Sequence, residues 1–164
     1  MTLFSARTSA EAVVAAPRTE IWKILVDPTA VAELTPFVHS IEERGEHWHW
    51  RMGGLPDLGG LGLQVAPAFT ARMELTEGER IEFVHDPPAG VHERAGVEGW
   101  YALADAPHPE GGPGEATALS TSLEITLDLP LPRLSGPAVR AAMHGVMDQM
   151  GERFAANMLR RLAG

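Results

Sequence analysis

Few residues of this 164-residue chain are of a type that does chemistry, and they fall on stretches that read as β-strand. In His47-Trp48-His49-Trp50 the two histidines share one face of a strand, while Trp48, Trp50 and Met52 share the other. Two imidazoles two residues apart offer two ligands to a metal, but no third or fourth ligand accompanies them, so no metal site is expected. His85 follows Ile81 and Phe83 at the period of a strand, which predicts an inward, apolar face for it. There an imidazole can act as a general base, with a pKa set by burial and neighbours. Tyr101, the single tyrosine, follows Val97 and Gly99 on another inward face and can donate a hydrogen bond to a carbonyl or phenol. Thr121 is the polar member of the stripe Leu119, Thr121, Leu123, Ile125, Leu127. His85, Tyr101 and Thr121 are therefore the candidates for the few polar groups that orient a ligand in an oily pocket. Of these, His85 and Tyr101 are the catalytic candidates. Satisfaction by local backbone is the competing reading for each.

Other chemistries lack their residues. The chain has no cysteine, which removes disulfides, thiolate zinc sites and cysteine nucleophiles together. Gly53-Gly54 and Gly59-Gly60 lack the strand-to-helix context and the lysine of a phosphate loop. Ser120 and Ser122 lack the elbow of a serine nucleophile. Glu74, Glu82, Glu98 and Glu124 fall on outward strand positions rather than in a cleft. A formal net charge of −9 repels phosphate backbones, so nucleic acid is not an expected partner, and no cofactor is expected.

The elements that must position these residues are legible from periodicity. Phe4 to Ala16 alternates as a first strand, and Pro17 then opens a short helix with Ile21, Trp22, Ile24 and Leu25 on its apolar face. Asp27-Pro28 caps and opens a second short helix through Leu34, which Pro36 stops. Strands are predicted over Phe37–Glu43, His47–Met52, Val65–Thr76, Arg80–His85, Glu93–Ala104 and Ala116–Leu129, the third interrupted by Pro67. Gly53 to Gly62, Asp86 to Gly90 and Pro107 to Gly114 read as loops. Pro130, Pro132 and Pro137 lead into one long amphipathic helix, Gly136 to Leu162, whose stripe is Val139, Met143, Val146, Met147, Met150, Phe154, Met158 and Leu162. A lone helix after a run of antiparallel strands must lie across their sheet, because neither element buries its apolar face alone. The expectation is one α+β domain, 1–164, with a curved antiparallel sheet of about seven strands wrapped on the C-terminal helix.

The run Val13-Val14-Ala15-Ala16-Pro17-Arg18-Thr19-Glu20-Ile21-Trp22 resembles the strand-to-helix entry of the START-like, polyketide cyclase–SRPBCC superfamily. Asp27-Pro28, Leu34-Thr35-Pro36-Phe37-Val38 and Ile41 followed by a turn and Trp48 continue the resemblance. It implies a helix-grip fold around a hydrophobic cavity, and a family of lipid carriers, hormone and polyketide binders, aromatic cyclases and co-chaperone modules. It supplies no universal catalytic residue.

The leading expectation is a binder or carrier of a hydrophobic small molecule, such as a lipid, isoprenoid or polyaromatic. Its pocket walls are expected to be Trp50, Phe69, Met73, Phe83, His85, Tyr101, Thr121, Leu123, Met143, Met147, Met150 and Phe154, with Gly53–Gly62 and Asp86–Gly90 as gates. The alternatives are a cyclase- or dehydratase-like enzyme using His85 or Tyr101, and a protein-interaction module. No window is apolar enough to span a membrane, and Met1 to Ala16 lacks the build of a signal peptide, which predicts a cytoplasmic protein. A homodimer is compatible with the sequence.

Overall fold

Proline placement makes the first corner of the molecule. The computed structural model, which describes residues 1–53, 66–109, 111 and 114–164, begins with strand β1, Thr2–Val14. Pro17 then stands at the N-cap of helix α1, Arg18–Leu25, and Pro28 occupies the first turn of α2, Pro28–Leu34. A proline costs nothing there because its missing N–H would have no helical partner. The Asp27 carboxylate accepts from the Thr29 and Ala30 amides at 3.0 and 3.4 Å, which satisfies two of the free donors of α2. Phe37 then takes a left-handed backbone, φ 68°, before strand β2 begins at Val38.

Strands β2 (Val38–Arg44), β3 (His47–Met52), β4 (Ala68–Thr76), β5 (Arg80–His85), β6 (Ala95–Ala106) and β7 (Ala116–Leu129) follow. They form one antiparallel sheet in the order β1-β7-β6-β5-β4-β3-β2, so the N-terminal strand closes onto the last one. β3, β5 and β7 keep the predicted bounds. β1 is displaced toward the N-terminus, β4 starts after Pro67, and β6 starts at Ala95, which leaves Glu93 in the preceding loop. The predicted Gly53–Gly62 gate, beyond Gly53, lies outside the described residues.

Helix α3, Gly136–Ala163, follows a short 3-10 turn at Arg133–Ser135 and crosses the inner face of the sheet. Val139, Met143, Met147 and Met158 are buried along it. Its C-terminal half docks on the helical corner, where the Asn157 side-chain amide donates to the Leu34 carbonyl at 2.9 Å and Arg161 pairs with Glu33. Two glycines, Gly145 and Gly151, lie within α3 with open space where a Cβ would stand. The core joins Phe4, Ala6, Leu127 and Leu129 at one end to Ile21, Leu25, Leu34 and Val14 at the other. No helix is long and apolar enough to cross a membrane among the described residues.

Candidate functional site

The inner face of the sheet is apolar by alternation. β3 contributes Trp48 and Trp50, β4 Phe69, Ala71 and Met73, β5 Ile81 and Phe83, β6 Val97, Gly99, Tyr101 and Leu103, and β7 Leu119, Thr121, Leu123, Ile125 and Leu127. The rings meet in two groups: Trp50 stacks on Phe69 at 5.6 Å between centroids, and Phe83 leans on Tyr101 at 5.8 Å. Gly99 makes this possible. A Cβ there would stand 2.1 Å from the Ser122 carbonyl oxygen and about 3 Å from the Phe83 ring, so no larger residue fits.

Within this face the expected wall residues divide into two groups. Phe69, Phe83, Met143 and Met147 are buried in the core. Trp50, Met73, Tyr101, Thr121, Leu123, Met150 and Phe154 keep part of their surface accessible. Leu119, Ile125 and Val146 belong with the second group, and Ala10 and Ala12, next to Leu119 and Thr121 across the β1–β7 ladder, are exposed. The inner face thus mixes side chains sealed in the core with side chains that keep surface of their own. Tyr101 shows this most clearly: burial pushes its hydroxyl up to about 12, yet the residue is only partly covered. Thr121, its direct cross-strand neighbour, donates its hydroxyl to the Trp100 carbonyl at 3.0 Å and so keeps only acceptor capacity for a guest.

His85 is not in this wall. His85 keeps its register with Ala71 of β4, but pairing between β5 and β6 ends at Phe83–Gly99, and the parted strands leave room for its ring beside β6. Its ring instead lies where a Cβ of Gly96 would be, 2.6 Å from Nδ1, beside the outer-face residues Glu98, Glu124 and Thr126. Two residues apart on one strand, Phe83 and His85 each cover a glycine of β6, on opposite faces of the sheet.

On the outer face His85 joins a polar network that no local pattern reveals. Glu93, its side chain only 6% exposed, accepts from His85 Nε2 at 2.9 Å, from the Thr70 amide at 2.8 Å and from the Thr70 hydroxyl at 2.8 Å. The Thr70 hydroxyl therefore accepts from His49 Nδ1, 2.9 Å away. Burial would raise the Glu93 carboxyl, but the Thr70 and His85 hydrogen bonds outweigh it and hold its pKa below the ordinary glutamate value. One position along, Asp86 accepts from His47 at 2.8 Å and meets Arg72 at 3.5 Å, and both contacts lower its pKa. Both ends of the loop between β5 and β6 are thereby pinned to the outer face. His47 and His49 thus face opposite partners on the convex side, and among the described residues no group of three or more His, Asp or Glu is arranged to hold a metal.

A scan of the sequence against protein-family models finds no match, and a search of curated proteins finds none either. Solved structures do match along nearly the whole chain. An aromatase/cyclase from a Streptomyces is similar at 15% identity and a TM-score of 0.65, covering 97% of this chain and 94% of its own. A START superfamily protein from Mycobacterium smegmatis is similar at 16% identity and TM-score 0.61, over 96% of this chain and 97% of its own. The chain has the START-like, helix-grip fold. A further solved structure, that of Ara h 8.0201, is similar at 16% identity and TM-score 0.58, covering 98% of this chain and 99% of its own. At these identities the likeness is one of architecture alone.

Proposed function

We propose that the chain binds a hydrophobic small molecule, a lipid, isoprenoid or polyaromatic, between the inner face of the sheet and α3. The observation that carries this reading is the group of inner-face side chains, Tyr101 among Trp50, Met73, Leu119, Leu123, Ile125 and Phe154, that pack against the core and still keep part of their surface. Apolar area removed from water there would contribute roughly 25 cal/mol per Å² before ordering costs. Trp50, Met73, Leu119, Leu123, Ile125, Met150 and Phe154 supply that area. Tyr101 supplies one hydrogen bond that selects a guest with a carbonyl, hydroxyl or phenol oxygen at the matching point.

The enzymatic alternative, to which the name of the Streptomyces protein points, would have to run without His85 as a base in the wall. Tyr101 remains, and a hydroxyl that keeps its proton acts as a donor or acid, not as a base at neutral pH. Binding is therefore the better-supported function. Titration with a lipophilic fluorescent probe should give saturable binding that Leu123→Trp, by filling the hollow, weakens at least about tenfold. Native mass spectrometry of the purified protein should find a copurified small molecule. No saturable binding together with no copurified molecule would overturn the reading.

A further inference from the structure

The two borders of the sheet are built differently. β2 is short, shifts register between Val38 and Ser40, ends in Glu42-Glu43-Arg44 and is backed by α2. Shortness, irregularity and charge are the devices that stop an open strand from pairing with another chain. β1 has none of them. It runs thirteen residues in unbroken register with β7, without proline, and carries one arginine and one glutamate. Among the described residues no backbone hydrogen bond outside that ladder engages Thr2–Val13. Helix α3 covers the Phe4–Ala6 end only, because from Arg7 to Val13 every residue except Thr8 is exposed. Leu3 and Val13, large apolar side chains on the outer face of this strand, stand 70% and 48% exposed.

We propose that β1 pairs with β1 of a second copy of this chain, antiparallel about a two-fold axis at Ser9, joining the two sheets into one. The register follows from charge. With Ser9 opposite itself, Arg7 of each copy faces Glu11 of the other, Ala6 faces Ala12 and Ser5 faces Val13, and no other register brings the two charges of the strand together. Arg7 reaches Glu124 of its own chain through a single nitrogen at 3.1 Å, so the rest of its guanidinium is free for a second carboxylate. Glu11 has no ion pair within its own chain among the described residues. A symmetric pairing uses each favourable contact twice, as closed two-fold interfaces do. The inference is independent of the ligand reading, since it rests on the edge of the sheet rather than its inner face.

Sedimentation across a protein concentration series tests it. The wild-type chain should pass from monomer to dimer. Glu11→Arg, which sets like charges opposite each other twice, should weaken association about tenfold. Glu43→Arg makes the same charge change on β2 and should leave association alone. Because the chain has no cysteine, Ser9→Cys gives a single thiol on the axis. A short bis-maleimide should cross-link it far faster than Glu43→Cys on the opposite edge, whether or not the charge variant folds. A monomer at every concentration, equal effects of the two charge reversals, or equal cross-linking at the two edges would overturn the proposal.

Discussion

The two faces of one sheet solve opposite problems. On the outer face the polar groups of the His49, Thr70, Glu93 and His85 network close on one another, and among the described residues no buried side-chain nitrogen or oxygen lacks a partner. On the inner face apolar groups stop short of closing, and Tyr101, Leu119, Leu123 and Phe154 retain surface in the middle of what would otherwise be core. An unmet polar group costs more than an unfilled apolar space. A fold that must leave something incomplete does so on its oily side, and the guest proposed above would restore the lost contacts.

That contrast can be broken from either side. The largest effect is expected at Phe83, whose ring fills the notch above Gly99: Phe83→Ala should destabilise the chain by about 3–5 kcal/mol, read from chemical denaturation. Next comes the polar side, where Glu93→Ala strands the Thr70 amide and should cost about 2–3 kcal/mol in the same assay. A cost below about 1 kcal/mol would mean that the network is decoration.

The same carboxylate sets a pH dependence whose sign is fixed. Its pKa in the folded chain lies below the ordinary value of 4.5, so the stability it contributes is complete above that value and is lost as pH falls through the lowered one. The difference in melting between wild type and Glu93→Gln should therefore be constant near neutrality and shrink on acidification below pH 4.5. A gap that widens on acidification would contradict the hydrogen-bond assignment.

The smallest effect on stability, and the most informative for the inner face, belongs to Tyr101. Tyr101→Phe should change stability by less than about 1 kcal/mol while weakening binding of an oxygen-bearing guest, because the hydroxyl has work only when the hollow is occupied. As the single tyrosine it also reports on itself: ultraviolet titration of the folded chain should show tyrosinate only near pH 12. Ionisation near 10 in the folded chain would place the hydroxyl in open water.

Most of the architecture was legible because it is written locally. The alternation of Ala116–Leu129, the Asp27-Pro28 cap and the three-and-four spacing of the Met stripe each need only neighbouring residues to be read. What was not legible depends on pairs far apart in the chain. Alternation assigns His85 to the face of Phe83, but where β5 and β6 part is decided between strands, and the available signal was the glycine pair Gly96 and Gly99 at an odd spacing. Glu93 read as the start of a strand because nothing beside it in sequence shows that Thr70 lacks an acceptor. The ligand wall suffered a milder version of this limit. Periodicity says that Met143 and Phe154 face the sheet, but only packing decides that the first is sealed and the second is not.

Gly145 and Gly151 give α3 a property that the strands beneath it lack. Each weakens helical order relative to alanine, and neither is needed to avoid a clash. The span between them is therefore less stiff than an alanine at each position would make it, and it is held at one end by Val139 and Met143 and at the other by Asn157 and Arg161. A beam clamped at both ends and soft at its centre bows without detaching, so under the binding function proposed above guests of different girth would meet a helix that yields before the strands do.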